Sequence, residues 1–194
     1  MHRFFADERG VVQGAAYLNA EDAGHALRVL RLENGDEVEL VCAPARYRAK
    51  IDSTEGGEVR LRVIEKLRDT EARTRVTLYQ GLPKADKMEL IVQKSTELGA
   101  AAIAPVAMIR SVVRLEGKDA VKKTERWQKI AREAVKQCAR VSAPEVRLPR
   151  KLSAMREELS ALDVLIVPWE DARDGSVADC LAPFAQKEDV SVGI

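Results

Sequence analysis

The stretch Val76–Val106, VTLYQGLPKADKMELIVQKSTELGAAAIAPV, decides the fold. Val76–Leu82 is a short β-branched and apolar run that stops at Pro83. Asp86, followed three residues later by Glu89, has the spacing of a capping box and predicts a helix start. Met88, Ile91, Ser95 and Leu98 recur at helical spacing, and Gly99 stands where a left-handed C-cap belongs. Ala101–Val106 is the next apolar run. Two buried strands bridged by one helix make a βαβ unit, which implies a parallel sheet with a right-handed crossover.

Upstream, residues 1–70 have another texture. Asn19 is placed to cap a short helix over Glu21–Val29, with two acids in its first turn. Asn34-Gly35 is a turn signal. Val38, Leu40 and Cys42, then Tyr47, Ala49 and Ile51, then Val59, Leu61 and Val63 alternate with polar residues, as half-buried strands do. Several short strands at hairpin spacing predict a small barrel. Arg28, Arg31, Arg46, Arg48, Arg60 and Arg62 interleave with the apolar positions, a pattern that serves RNA contact or plain solvation equally. Residues 71–75 close a polar stretch and are expected to be a linker.

Downstream, Arg110–Lys123 reads as a basic connection. Thr124–Arg140 is the clearest amphipathic helix, with Trp127, Ile130, Ala131, Ala134 and Cys138 on one stripe. Gln137 lies at the edge of that stripe, as a boundary residue or as a polar group aimed at a ligand. Residues 153–161 predict a helix, Val164–Val167 a buried strand, Val177–Phe184 a helix broken at Pro183, and Val190–Ile194 a further strand. Strands alternating with helices over 76–194 predict an α/β domain with a largely parallel sheet.

The 194 residues carry a net charge of +1, unevenly spread. Residues 1–70 hold 11 basic and 13 acidic side chains, residues 71–160 hold 19 and 11, and residues 161–194 hold 2 and 7. The middle of the chain is a candidate polyanion surface. The sequence contains no run of eighteen apolar residues, so no membrane span is expected. Cys42, Cys138 and Cys180 are scattered without metal spacing and read as reduced, cytoplasmic thiols. No Walker A, GxGxxG, HExxH or GxSxG motif occurs, so metal catalysis and triad hydrolysis have no support. Group transfer from an activated cofactor to a polyanion needs neither a metal nor a nucleophilic side chain.

Five stretches carry a family resemblance: RFF at 3–5, HALRVLRLENGDEVEL at 25–40, LPKADKMELIVQKSTELG at 82–99, PVAMIRSVV at 105–113, and ERWQKIAREAVKQCARVSAPEV at 125–146. In this order they resemble the bacterial 16S ribosomal RNA uridine N3-methyltransferases of the SPOUT, or trefoil-knot, superfamily. The resemblance implies a PUA-like β-barrel over 1–70 that grips RNA. It implies an α/β knot domain over 76–194 that binds S-adenosyl-L-methionine and forms a homodimer acting on 16S rRNA or the small ribosomal subunit, without a metal. A non-catalytic RNA-binding module and a dimeric scaffold are the competing readings.

By the same resemblance, Arg3, Arg28, Arg31, Lys84 and Arg126 are expected to contact RNA. Gln137 and Arg140, with Arg110, are expected to face the target uridine. Val167, Pro168 and Glu170 resemble the first cofactor-side loop. Lys94 and Glu97, three apart, suit a structural ion pair. The family pattern continues past residues 190–194 with a GPEGG loop and an LGxRxLRxET segment. The expectation is therefore an incomplete knot in this polypeptide and weak cofactor binding by it alone.

Overall fold

Period-two alternation in the first seventy residues becomes a five-stranded sheet. The computed structural model describes residues 1–68, 71–84, 86–109, 113, 115–138, 140–172 and 175–194. Two units separate, Met1–Thr70 and Glu71–Ile194.

In the first unit, β1 (His2–Phe5), β2 (Ala15–Tyr17), β3 (Glu37–Cys42), β4 (Ala45–Ser53) and β5 (Arg60–Lys66) stand in the order β1-β3-β4-β5-β2. A bridge between Ala6 and Leu18 joins the two outer strands. The Asp7 amide adds a 2.8 Å bond to the Tyr17 carbonyl, so the sheet closes on itself. Inside lie Phe4, Val38, Leu40, Ala49, Ile51, Val59 and Leu61, all buried, on the faces that the alternation predicts. The Asn19 side chain caps α1 (Ala20–Gly24) by accepting from the Asp22 amide at 2.9 Å. The helix then widens into a π-helical turn over His25–Val29. Arg31 follows with a left-handed φ of 54°, a conformation a non-glycine residue seldom adopts.

The second unit is built on β6 (Arg75–Gly81), α2 (Lys87–Glu97) and β7 (Ala102–Ala107). The two strands pair in parallel, Thr77 opposite Ala102 through Gly81 opposite Val106, as the βαβ reading requires. Then come α3 (Gly117–Cys138), β8 (Glu145–Val146), β9 (Arg150–Lys151), α4 (Arg156–Ser160), β10 (Val164–Leu165), α5 (Val177–Leu181) and β11 (Ser191–Gly193). The strand order is β10-β11-β6-β7-β8, with β9 also on β7. Every one of these pairs is parallel. Ala102–Val106 is buried throughout, as a central parallel strand covered on both faces should be. Ile103 packs with Met88, Val92, Trp127 and Ala131 of α2 and α3. Ala104 and Val106 face the other way, toward Met155, Tyr79 and Leu159. The amide of Arg147 bonds to the Ile103 carbonyl, so Pro105, two residues on, turns its missing N–H toward the same neighbour. That neighbour is split there into β8 and β9, since proline cannot donate to a ladder.

Several local readings change. The buried face of α2 is Met88, Val92 and Thr96, while Leu98 is 87% exposed. Asp86 takes the N-cap position at φ −88°, ψ 11° and makes no side-chain cap bond, because that backbone is not the extended one a capping side chain needs. The third helix begins at Gly117, so part of the stretch read as a connection is helical. The strand near 164 is a two-residue edge strand, with Leu165 exposed rather than buried. Gly99, at φ 100°, terminates α2 as its position suggests.

Glu71 and Arg140 tie the second unit together. Arg140 Nη2 and Nε donate to Glu71 Oε2 at 2.7 and 3.0 Å. Its Nη1 donates to the carbonyls of Thr96 and Ala100 at 3.1 and 2.7 Å. The Val141 amide donates to Glu71 Oε1 at 2.8 Å. The two side chains are 11% and 21% exposed. Burial works to raise the Glu71 carboxyl, but hydrogen bonds from Arg140 and Val141 bring it below its ordinary value. A carboxyl depressed in this way stabilises the fold above its unfolded-state pKa, and that stability is lost as pH falls through its lower folded value. Arg140→Ala, which strands the Glu71 charge, should cost about 2–4 kcal/mol in urea unfolding at pH 7. Glu71→Gln should also destabilise at pH 7 and should make stability fall less steeply below pH 4.5, the carboxyl's ordinary value. A parallel acid dependence in both proteins would show that this pair does not carry it.

Candidate functional site

Helices leave the sheet of the second unit at the carboxyl ends of its strands. The chain passes from β6 to β7 and β8 on one side, while β11 and β10 lie on the other. The order reverses between β6 and β11, and ligands of open α/β sheets bind beyond the carboxyl ends at such a point. There the ladder runs on past the strands. The Tyr79 amide donates to the Ile194 carbonyl at 2.7 Å, and the Ile166 amide to the Gly193 carbonyl at 2.8 Å. Gly193 has no room for a Cβ, which would meet Leu162 at 2.5 Å and Tyr79 at 3.1 Å.

Val167, Pro168 and Glu170 follow β10 at this edge and are exposed. Val167 is 74% and Trp169 66% exposed, with Leu165 also open. Apolar groups concentrated on one edge mark a contact surface more than a solvated one. Lys84 follows β6 at the same edge, exposed, and makes no ion pair among the described residues. Beside it a cavity of about 220 Å³ is lined by Leu82, Pro83, Glu89, Lys123 and Trp127, among others.

The other expected residues lie elsewhere. Because α3 starts after the carboxyl end of β7 and runs back, its last turn reaches the amino edge, where Arg140 meets Ala100 just before β7. Gln137 and Arg140 are thus at the edge opposite Val167–Glu170 within one chain. Gln137 is exposed rather than partly buried. Four of the five N–H groups of Arg140 are taken by Glu71 and two carbonyls, leaving little to offer a uridine. Arg110 lies outside the described residues. Arg126 gives Nη2 to Glu89 Oε2 at 2.9 Å and is half-exposed. Lys94 pairs with Glu97 at 2.7 Å, as their spacing suggests.

In the first unit, Arg3 is largely buried against Glu39, which also takes Arg46. Hydrogen bonds from both arginines outweigh burial and hold the Glu39 carboxyl below its ordinary value. Arg28 and Arg31 are exposed, and neither meets a carboxylate among the described residues. Two groups escaped the sequence reading. One is Glu71, whose partner is 69 residues away. The other is Tyr79, whose hydroxyl donates to Glu158 at 2.7 Å; burial, then this carboxylate, push its pKa up to about 12. No local pattern signals either. Among the described residues no group of three or more His, Cys, Asp or Glu is placed to hold a metal, and no helix is long and apolar enough to cross a membrane.

Comparison with known proteins gives the same frame from outside. The RNA methyltransferase domain family matches residues 70–194. The ribosomal RNA small subunit methyltransferase E of Bacillus subtilis is 36% identical over 158 residues, which cover 80% of this chain and 61% of that protein. The protein of the same name from Aquifex aeolicus is 31% identical over 159 residues, covering 81% of this chain and 67% of its own length. This chain thus spans about three fifths to two thirds of these relatives. A crystal structure of the ribosomal RNA small subunit methyltransferase E of Neisseria gonorrhoeae, bound to S-adenosyl methionine, superposes with a TM-score of 0.67 at 28% identity, over 100% of this chain and 79% of that one. With the parallel sheet and its open carboxyl edge already in place, the match over residues 70–194 makes this chain a member of the RNA methyltransferase family, in the group of the ribosomal RNA small subunit methyltransferase E proteins.

Proposed function

We propose that this chain methylates N3 of a uridine in 16S ribosomal RNA with S-adenosyl-L-methionine, working in the cytoplasm as a homodimer. The observation that carries the reading is the open edge at the β6–β11 reversal, in a chain of an RNA methyltransferase family. The relative from Neisseria gonorrhoeae, whose structure contains the cofactor, supports the choice of methyl donor. The first unit, a closed five-stranded sheet, is read as the PUA-like RNA-gripping part, with Arg28 and Arg31 as its phosphate contacts.

The residues at the edge suit the cofactor's chemistry. Val167 and Trp169 offer apolar surface to a planar ring. The carboxylate of Glu170 suits ribose hydroxyls or a cationic sulfonium. When bound, the cofactor supplies a methyl group on a positively charged sulfur.

For the uridine, N3 must give up its proton to solvent before or as it accepts the carbon, while the donor sulfur keeps the electrons of the broken carbon–sulfur bond and departs as a neutral thioether. The anion left behind spreads over O2 and O4, and a cation beside either oxygen lowers the cost of forming it. Lys84 is a cation at this edge with no ion pair among the described residues, and in this reading it stands beside the uracil oxygen. Pro83 restricts the backbone that carries it. Arg140 acts at a distance by fixing the amino edge, so its loss should act through stability.

Two measurements test this. Methyl transfer from labelled cofactor, by the protein that carries this chain, to small subunits lacking the modification should yield N3-methyluridine on nucleoside digestion. Lys84→Ala should slow transfer about 100-fold while leaving the urea midpoint unchanged. Transfer at the parent rate would remove Lys84 from the chemistry, and label without N3-methyluridine would refute the assigned atom. Isothermal titration of the protein that carries this chain with S-adenosyl-L-methionine should give saturable heats that Glu170→Gln weakens. Tight, saturable heats that Glu170→Gln leaves intact would place the cofactor away from the 167–170 loop.

A further inference from the structure

We propose that the solvent face of α3 is a track for RNA phosphates, made by Lys118, Lys122, Lys129 and Arg132; this rests on the reading of the chain as an RNA-modifying protein. At 100° per residue these four, with Lys136, fall within about 80° of arc. The buried residues Ala120, Trp127, Ala131 and Ala134 occupy the opposite side. From Lys118 to Arg132 the track is about 21 Å long at 1.5 Å per residue. It starts at Lys118, near the carboxyl edge that carries the candidate site, and runs back along the domain.

What separates these cations from ordinary surface charge is their lack of partners. In the first unit, the strand arginines face carboxylates. Arg48 meets Glu65 at 3.0 Å and Glu37 at 3.8 Å, Arg60 meets Asp52 at 3.3 Å, and Arg3 and Arg46 share Glu39. On α3, Lys136 is answered by Glu133 at 3.5 Å and Arg126 by Glu89 at 2.9 Å. Lys118, Lys122, Lys129 and Arg132 are exposed and have no ion pair among the described residues. Glu125 is the one acid of α3 within the arc. Lys118 and Lys122 are four apart, and Lys129 and Arg132 three apart. Like charges at these spacings work against the helix that carries them. A stripe that opposes its own helix is suited to an external anion, and a phosphate chain matches both its sign and its length.

Salt dependence of binding reads this directly, because each phosphate contact releases counterions. The probe is a transcribed fragment of 16S ribosomal RNA, and the readout is fluorescence anisotropy across a potassium chloride series. Replacing all four residues, K118Q/K122Q/K129Q/R132Q, should make the slope of log K against log salt shallower by about 3, at 0.7–0.9 per contact. The charge-retaining K118R/K122R/K129R should keep the parent slope. If the fourfold variant does not fold, K122Q/K129Q alone should make the slope shallower by about 1.5. Parent-like slopes in the neutralised variants would make the stripe a solvated face and overturn the track. An equal loss in the arginine variant would overturn it too, by showing that packing and not charge was changed. A parent chain that binds the RNA without salt dependence, or not at all, would refute the RNA reading itself.

Discussion

The guanidinium of Arg140 holds three separate pieces of backbone at one point. It reaches Glu71 at the head of the second unit, Thr96 at the end of α2, and Ala100 just before β7. Glu71 returns the constraint by accepting the Val141 amide. A half-buried ion pair is costly to desolvate and adds to stability only when its remaining donors and acceptors are met. Here nearly all are met, so the amino edge of the parallel sheet spends its polar groups on itself. Toward the opposite edge Glu158 gathers Tyr79, Arg147 and Arg150, but the described residues beyond β6 and β10 are not tied down in this way. There Val167, Trp169 and Lys84 are exposed. The contrast between a sealed edge and an open one directs the search for chemistry to one side of the sheet.

The sequence displayed what is local. Ala101–Val106 is apolar on both faces because it lies within a covered parallel sheet, and Gly99 ends the helix before it in a conformation few other residues adopt. The barrel strands showed themselves by alternation, since one side of each packs on Leu40, Ile51 and Leu61. Other features depended on distant parts of the chain. Leu98 continues the helical spacing but falls beyond the neighbour that buries Met88 and Val92, so its burial was not predictable from α2 alone. Arg3 and Arg140 match family positions, yet their partners are 36 and 69 residues away. A motif shows that an arginine is needed; it does not show whether the partner is a phosphate, a base or a glutamate.

The charge distribution has a structural cause. A residue inside a sheet has a neighbour directly across on each flanking strand, so Lys50 lies opposite Glu37, and Arg48 opposite Glu39 and Glu65. Cancellation is built into the register. The outer face of a helix has only its own residues three and four away. An excess of lysine and arginine there stays uncancelled unless acids are interleaved, and α3 supplies them only at Asp119, Glu125 and Glu133. The basic excess of residues 71–160 therefore becomes a field at the helix, whereas the arginines of the first unit are largely spent in cross-strand pairs.

This bears on where a substrate would be held and where it would react. A phosphate chain needs unpaired cations along a length, and the 22 residues of α3 provide one. A base and the planar ring of a cofactor need apolar surface and a few directed polar groups, which lie instead in the loops after β6 and β10. Both begin at the carboxyl edge, because α3 starts from the loop that leaves β7 there. The topology of a parallel sheet sends every crossover out from the same edge. It therefore brings the head of the basic helix to the edge with the exposed apolar loops, although the two are some fifty residues apart in sequence.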